Sequence, residues 1–161
     1  MSQQFSVFII EDDMHLQQML ADFFRDKFPD IEIKAFTSGE QALVHIDEST
    51  HLIILDYFLN LHDEKAMDGL AVLARVREVN KSIRVVLFSG QEDPEVAAQA
   101  IKMGAYDYIV KNSQSFEKLE AIISHLKKHF VIDAPAFNKK LYIILLIGIF
   151  LIAALFFLTR R

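Results

Sequence analysis

The chain has no cysteine, which excludes disulfides and thiolate-bound metal centres while leaving its redox compartment open. It has only three prolines, at positions 29, 94 and 135, each read at a unit boundary, in a first helical turn or in a linker. Internal repeats and low-complexity tracts are absent, so neither a solenoid nor a disordered tail is indicated. The opening residues Met1-Ser2-Gln3-Gln4 carry neither a basic start nor a long apolar stretch, and no signal peptide is visible. Basic residues are also scarce where they would matter. Residues 1–138 hold all 22 acids but 13 of the 17 bases, a formal balance of about −9. That argues against a nucleic-acid-binding face.

What the chain has in excess is apolar residues, 52% of 161, and they are unevenly placed. From Leu141 to Leu158 every residue is apolar except Tyr142 and Gly148, and no acid follows Asp133. A helix of about 18 residues spans roughly 27 Å, close to the hydrocarbon thickness of a bilayer. Lys139-Lys140 and Arg160-Arg161 flank the run and can reach the two headgroup layers. A core helix would keep a polar stripe, and this segment has none. The expected organisation is a folded domain over 1–130, a linker over 131–140, a transmembrane helix over 141–158 and a basic tail over 159–161. With no export signal ahead of it, the folded domain is expected on the cytoplasmic side of the membrane.

Within the domain, short apolar runs alternate with amphipathic ones. Phe5 to Ile10, Ile31 to Phe36, Leu52 to Leu55, Val85 to Phe88 and Tyr108 to Val110 read as strands. The second of these alternates, as a half-buried strand would. Helices are predicted from Met14 to Lys27, from a Ser38 cap to about Ile46, and from Gly69 to Val79. Two more run from Pro94 to Met103, with Gly104 closing the end, and from Ser115 to about His129. Five such pairs predict an α/β fold with a five-stranded parallel sheet covered on both faces. Right-handed crossovers favour the flavodoxin-like (βα)5 strand order 2-1-3-4-5, with the membrane helix appended.

Ligands of an open parallel sheet bind beyond the carboxyl ends of its strands. Those ends carry Glu11-Asp12-Asp13, Asp56, Ser89 and Lys111. Singly, an acidic triplet is a solvated turn, a strand-end Asp a helix cap, a Ser-Gly a turn and a Lys a surface charge. Their joint occurrence at four strand ends is harder to dismiss. Carboxylates brought that close repel unless a cation offsets them, and a few hard oxygen ligands suit Mg²⁺. The pattern reads as a metal-dependent phosphate pocket. The six histidines show no coherent metal spacing; His125 and His129, four apart, read as a solvated helix face.

On these residues the chain resembles the response-regulator receiver family over about residues 5 to 129. The resemblance places Glu11 and Asp12 on the family's paired acids, Asp13 on an accessory acid and Asp56 on the phospho-acceptor. It places Ser89 on the hydroxyl position, Lys111 on the lysine and Tyr108 on the switch aromatic. It implies Mg²⁺ held by Glu11, Asp12, Asp56 and the main-chain carbonyl of Phe58. It also implies a histidine kinase or histidine phosphotransfer protein as donor, and an unidentified partner on the face formed by helix four, strand five and helix five. Three departures stand out. Asp56 to Gly69 is longer than usual and includes Asn60-Leu61-His62-Asp63-Glu64-Lys65, Asn112 stands where a proline is usual, and Phe58 is bulky beside the acceptor.

The implied protein is a membrane-anchored single-domain response regulator of the inner membrane, a signalling phospho-acceptor rather than an enzyme. A receiver-fold scaffold that is never phosphorylated is the alternative. A haloacid-dehalogenase-type hydrolase is disfavoured, because Phe58 occupies the position of its general acid.

Overall fold

The computed structural model describes residues 4–59 and 65–133, with the backbone alone for 131–133. Ten elements alternate along the chain: β1 (Ser6–Ile10), α1 (Met14–Lys27), β2 (Glu32–Phe36), α2 (Gly39–Leu43), β3 (Thr50–Asp56), α3 (Gly69–Val79), β4 (Arg84–Ser89), α4 (Pro94–Lys102), β5 (Asp107–Val110) and α5 (Ser115–Asp133). All strand pairs are parallel and the order is β2-β1-β3-β4-β5, as the sequence predicted.

The three central strands are apolar on both faces because helices cover both. Successive side chains alternate between the faces. Phe8, Ile10, Ile53, Leu55, Val85 and Leu87 pack with Val72, Leu73 and Val76 of α3 and Ala100 of α4. On the opposite face lie Val7, Ile9, Ile54, Val86 and Phe88, all buried. Leu20, Ala21 and Phe24 of α1 and Leu119 and Ile123 of α5 are buried too. Phe23 meets Phe116 edge-on at 5.1 Å, which locks α1 against α5. Each fully buried Ile, Leu or Val of this kind contributes about 1.5–3 kcal/mol.

Helix limits follow local chemistry. Asp13 caps α1, Ser38 caps α2, Asp68 caps α3 and Asp93 caps α4 ahead of Pro94. Gly104 takes φ +96°, the left-handed conformation that ends the α4 region. Three sequence expectations need correction. The alternation predicted for β2 is absent: its residues are half-buried or exposed, because an edge strand is only partly covered on either face. α2 stops at Leu43, short of Ile46. β3 starts at Thr50, where a register shift against β1 places His51 in a bulge. There His51 Nδ1 accepts a 3.1 Å hydrogen bond from the Ser6 N–H.

The chain divides into two units. Residues 1–127 hold the sheet and all strand ends. The second unit, 128–161, is described only through the end of α5, which runs to Asp133, past the predicted end near His129. Among the described residues no helix is long and apolar enough to cross a membrane. The predicted span 141–158 and tail 159–161 lie outside them, as does most of the predicted 131–140 linker.

Candidate functional site

The carboxyl ends of the strands open on one edge of the sheet. At the end of β1 the Glu11 N–H donates to Phe36 O at 3.0 Å, which keeps the chain paired to β2 for one more residue. The Gln17 side-chain amide then donates to both Glu11 O (3.0 Å) and Phe36 O (2.8 Å). Asp13 turns away. Its carboxylate accepts from the N–H groups of His15 and Leu16, at 2.8 and 3.2 Å. Those bonds, Leu16's foremost, hold its pKa below the usual carboxylate range. The expected accessory acid is therefore the N-cap of α1, exposed to solvent and separate from the acid cluster.

Glu11, Asp12 and Asp56 do converge. Each offers a carboxylate oxygen, all within 4.8 Å of one another. Glu11 and Asp56 are buried, with side chains 3% and 4% exposed. Lys111 answers them: its Nζ lies 2.8 Å from Glu11 Oε2 and 2.9 Å from Asp56 Oδ1. Only the Glu11 contact has hydrogen-bond geometry, so Asp56 Oδ1 is buried without a hydrogen-bond partner. One ammonium cannot neutralise two buried carboxylates. Burial foremost, then the Asp56 charge, pushes the Glu11 pKa up to about 7 against the pull of Lys111. Burial alone would lower the Lys111 pKa, but its pairing with Glu11 and Asp56 outweighs that and raises it.

The residues fit a hard divalent cation. Three carboxylates converge, one with an orphaned buried oxygen, and the cluster has more negative charge than its lysine offsets. An open cleft of about 430 Å³ borders this corner at Asp12 and is lined further by Thr37, Glu40 and Lys65. Phe58, half-buried, lies two residues beyond Asp56, its ring edge-on to Tyr57. Among the described residues no other group of His, Cys, Asp and Glu could hold a metal.

Ser89 and Tyr108 meet at a residue that sequence reasoning missed. The fully buried Ser89 Oγ accepts from the Gln91 N–H at 3.2 Å, and Tyr108 Oη donates to Gln91 O at 2.9 Å. The hydroxyl at the end of β4 and the aromatic on β5 thus hold the two sides of one residue. Lys111 is brought to the acids without a following proline. Its N–H donates to Ser89 O at 2.7 Å, and no peptide bond among the described residues is cis. Asn112 instead starts α5: its Oδ1 accepts from the Gln114 N–H and its carbonyl from the Ser115 hydroxyl.

Gly69 was predicted only as the opening of α3, yet it also supports the acceptor. A Cβ there would lie 2.6 Å from Asp56 O and 2.8 Å from Tyr57 Cα. Glu40 of α2 fixes the approach to α3 by accepting from the Met67 N–H at 2.8 Å. Residues 60–64 of the enlarged loop lie outside the described residues. Gln17 and Gln91 gave no signal beyond position, one helical turn after an acidic run and two residues after a strand end.

A model of the response regulator receiver domain matches residues 7–124. The chain is 35% identical over 109 residues to a response regulator named NtrX-like from Rickettsia typhi, covering 67% of this chain and 22% of that protein. It is 31% identical over 121 residues to the methanogenesis regulatory protein FilR1 of Methanothrix harundinacea, covering 73% of this chain and 26% of that protein. The chain therefore spans about a quarter of the length of these relatives. The receiver domain of NtrX from Brucella abortus matches with a TM-score of 0.65 and 26% identity, over 74% of this chain and 96% of that one. On the strength of the matched domain and the acid–lysine site inside it, the chain belongs to the response regulator receiver family.

Proposed function

We propose that this chain is a membrane-anchored response regulator that takes a phosphoryl group on Asp56 in the presence of Mg²⁺. Receiver domains are the phospho-acceptors of two-component signalling rather than conventional enzymes, and they work with histidine kinases or phosphotransfer proteins. The observation that carries the reading here is the buried Asp56 carboxylate, one oxygen without a hydrogen bond, set between two further acids and the Lys111 ammonium.

Glu11, Asp12 and Asp56, with the main-chain carbonyl of Phe58, would hold Mg²⁺. Bound there, the cation supplies charge neutralisation for the transferring phosphoryl oxygens. An Asp56 carboxylate oxygen attacks the phosphorus of a phosphohistidine. The P–O bond forms as the P–N bond breaks, and the imidazole nitrogen keeps the electron pair. Lys111, already between the carboxylates, passes from pairing with Asp56 to pairing with the new phosphoryl group. The Ser89 hydroxyl leaves the Gln91 N–H for a phosphoryl oxygen. Because Tyr108 is bonded to the same residue, the change passes to β5 and its neighbours α4 and α5. α4 buries only Ala100 fully and leaves Ile101 exposed, an apolar side chain available to a protein partner.

The anchor rests on the uncharged run from Leu141 to Leu158, and it would keep the domain at the cytoplasmic face of the inner membrane. Flotation with liposomes tests it: the full chain should rise with the vesicles, and a chain ending at Asn138 should not. The phosphoryl reading is tested with beryllofluoride and Mg²⁺ on the full chain in detergent. Amide shifts at Ser89, Gln91, Tyr108 and Lys111, absent in Asp56→Asn, support it. A folded chain without such shifts favours an unphosphorylated membrane-bound scaffold.

A further inference from the structure

We propose that Gln17 is a positioning residue of the cation corner: its side-chain amide orients the peptide joining Glu11 to Asp12 and so sets the affinity for Mg²⁺. The inference rests on the reading of that corner as a Mg²⁺ site.

The argument starts from a bonding problem at the end of the sheet. Where β1 and β2 stop, the carbonyls of Glu11 and Phe36 run short of strand partners, and a buried backbone acceptor needs one. Phe36 O takes the Glu11 N–H at 3.0 Å, yet among the described residues no backbone N–H outside the helices and strands donates to Glu11 O. Gln17 supplies both. Its one amide nitrogen has two N–H groups, and it donates at 3.0 Å to Glu11 O and at 2.8 Å to Phe36 O. Neutral donors suit the task, because the ligands beside them are anions that a cation must still reach.

The consequence is geometric. Glu11 O lies in the same rigid peptide plane as the Cα atoms of Glu11 and Asp12. Fixing that carbonyl fixes the direction in which both carboxylate-bearing side chains leave the chain. The other end of the segment is fixed as well, since Asp13 caps α1 and its carbonyl accepts from the Gln17 N–H at 2.8 Å. Asp13 O to Gln17 N and Gln17 Nε2 to Glu11 O close a small loop around the acidic turn. Asp12 is half-exposed, and among the described residues no hydrogen bond or ion pair of its side chain is seen, so its direction depends on this backbone. The neighbouring Gln18 has a different role, bonding to Asp22 on the outer face of α1.

The test compares Mg²⁺ binding by the full chain in detergent with that of three variants, using MgCl₂ alone as the probe. Gln17→Met keeps the length and helix preference but loses both donors, and Gln17→Asn keeps the donors on a shorter stem. Gln18→Met is the control. Groups that orient metal ligands typically change metal affinity about 10–100-fold. The Kd for Mg²⁺ should rise about 10-fold in Gln17→Met and less in Gln17→Asn, while Gln18→Met matches the parent. In metal-free protein the Glu11 amide should exchange faster in both Gln17 variants, a readout that needs neither cation nor phosphoryl transfer. A parent chain that binds Mg²⁺ and a folded Gln17→Met of equal affinity would overturn the inference alone. A folded parent that binds no Mg²⁺ would overturn the reading beneath it, and the inference with it.

Discussion

Glu11 should make the metal-free domain more stable in mild acid than at neutral pH, the reverse of ordinary acid denaturation. Its side chain is 3% exposed, faces the Asp56 carboxylate and shares one lysine with it. Its pKa is pushed from 4.5 to about 7. A raised acid pKa means the folded state keeps a proton that the unfolded chain has released. The stabilisation is therefore complete below pH 4.5 and is lost as pH rises through about 7. At about 1.4 kcal/mol for each tenfold change, the full swing is about 3.5 kcal/mol, and sharing of charge with Lys111 and Asp56 brings it to about 2 kcal/mol. One group opposes it in the same window. Burial depresses the His51 pKa below 6.5, so His51 stabilises above that value and loses the effect as pH falls. The assay is urea unfolding in EDTA at pH 5, 6, 7 and 8, for the parent and for Glu11→Gln, which keeps an acceptor for Lys111 but cannot ionise. The difference between the two curves isolates Glu11 from His51. Glu11→Gln should be the more stable of the two at pH 8, by about 2 kcal/mol, with the gap closing toward pH 5. Saturating Mg²⁺, which needs Glu11 ionised, should abolish the parent's gain in acid. Parallel pH profiles for the two proteins would refute the reasoning.

Lys111→Met leaves two buried carboxylates unanswered and should destabilise the domain by about 3 kcal/mol at pH 8 and by less at pH 5, where Glu11 is protonated; urea midpoints at both values check this. Gly69→Ala drives a Cβ to 2.6 Å from Asp56 O, where only backbone can yield, and should cost about 1–3 kcal/mol by urea unfolding while slowing phosphorylation. His51→Leu leaves the buried Ser6 N–H without its acceptor and should cost about 1–3 kcal/mol at pH 8, while removing the part of the acid-side loss due to His51.

Much of this fold is written locally. Asp13 and Asp68 as caps, with Pro29 as a stop, put α1 and α3 at the predicted residues, because helix ends are set by side chains a turn away. The strand order followed from five βα units and the handedness of their connections. What was not legible depends on distant partners. The early start of β3 reflects the His51 bulge, which is a contact with β1 45 residues away. β2 lost its expected alternation because it fell at the edge of the sheet. In the candidate site, the convergence of Glu11, Asp12, Asp56 and Lys111 could be read from their places at strand ends. Asp13 has the same residue type and nearly the same place, yet its carboxylate was taken by α1. Gln17 and Gln91 escaped notice because each acts through backbone carbonyls and N–H groups that the fold brings to it.

The most direct test of the central claim is the intact mass of the full chain in detergent after incubation with acetyl phosphate and Mg²⁺. The account predicts a gain of one phosphoryl group that is labile in base, needs Mg²⁺ and disappears in Asp56→Asn. A folded parent chain that gains no mass, or an Asp56→Asn chain that gains as much as the parent, would contradict it.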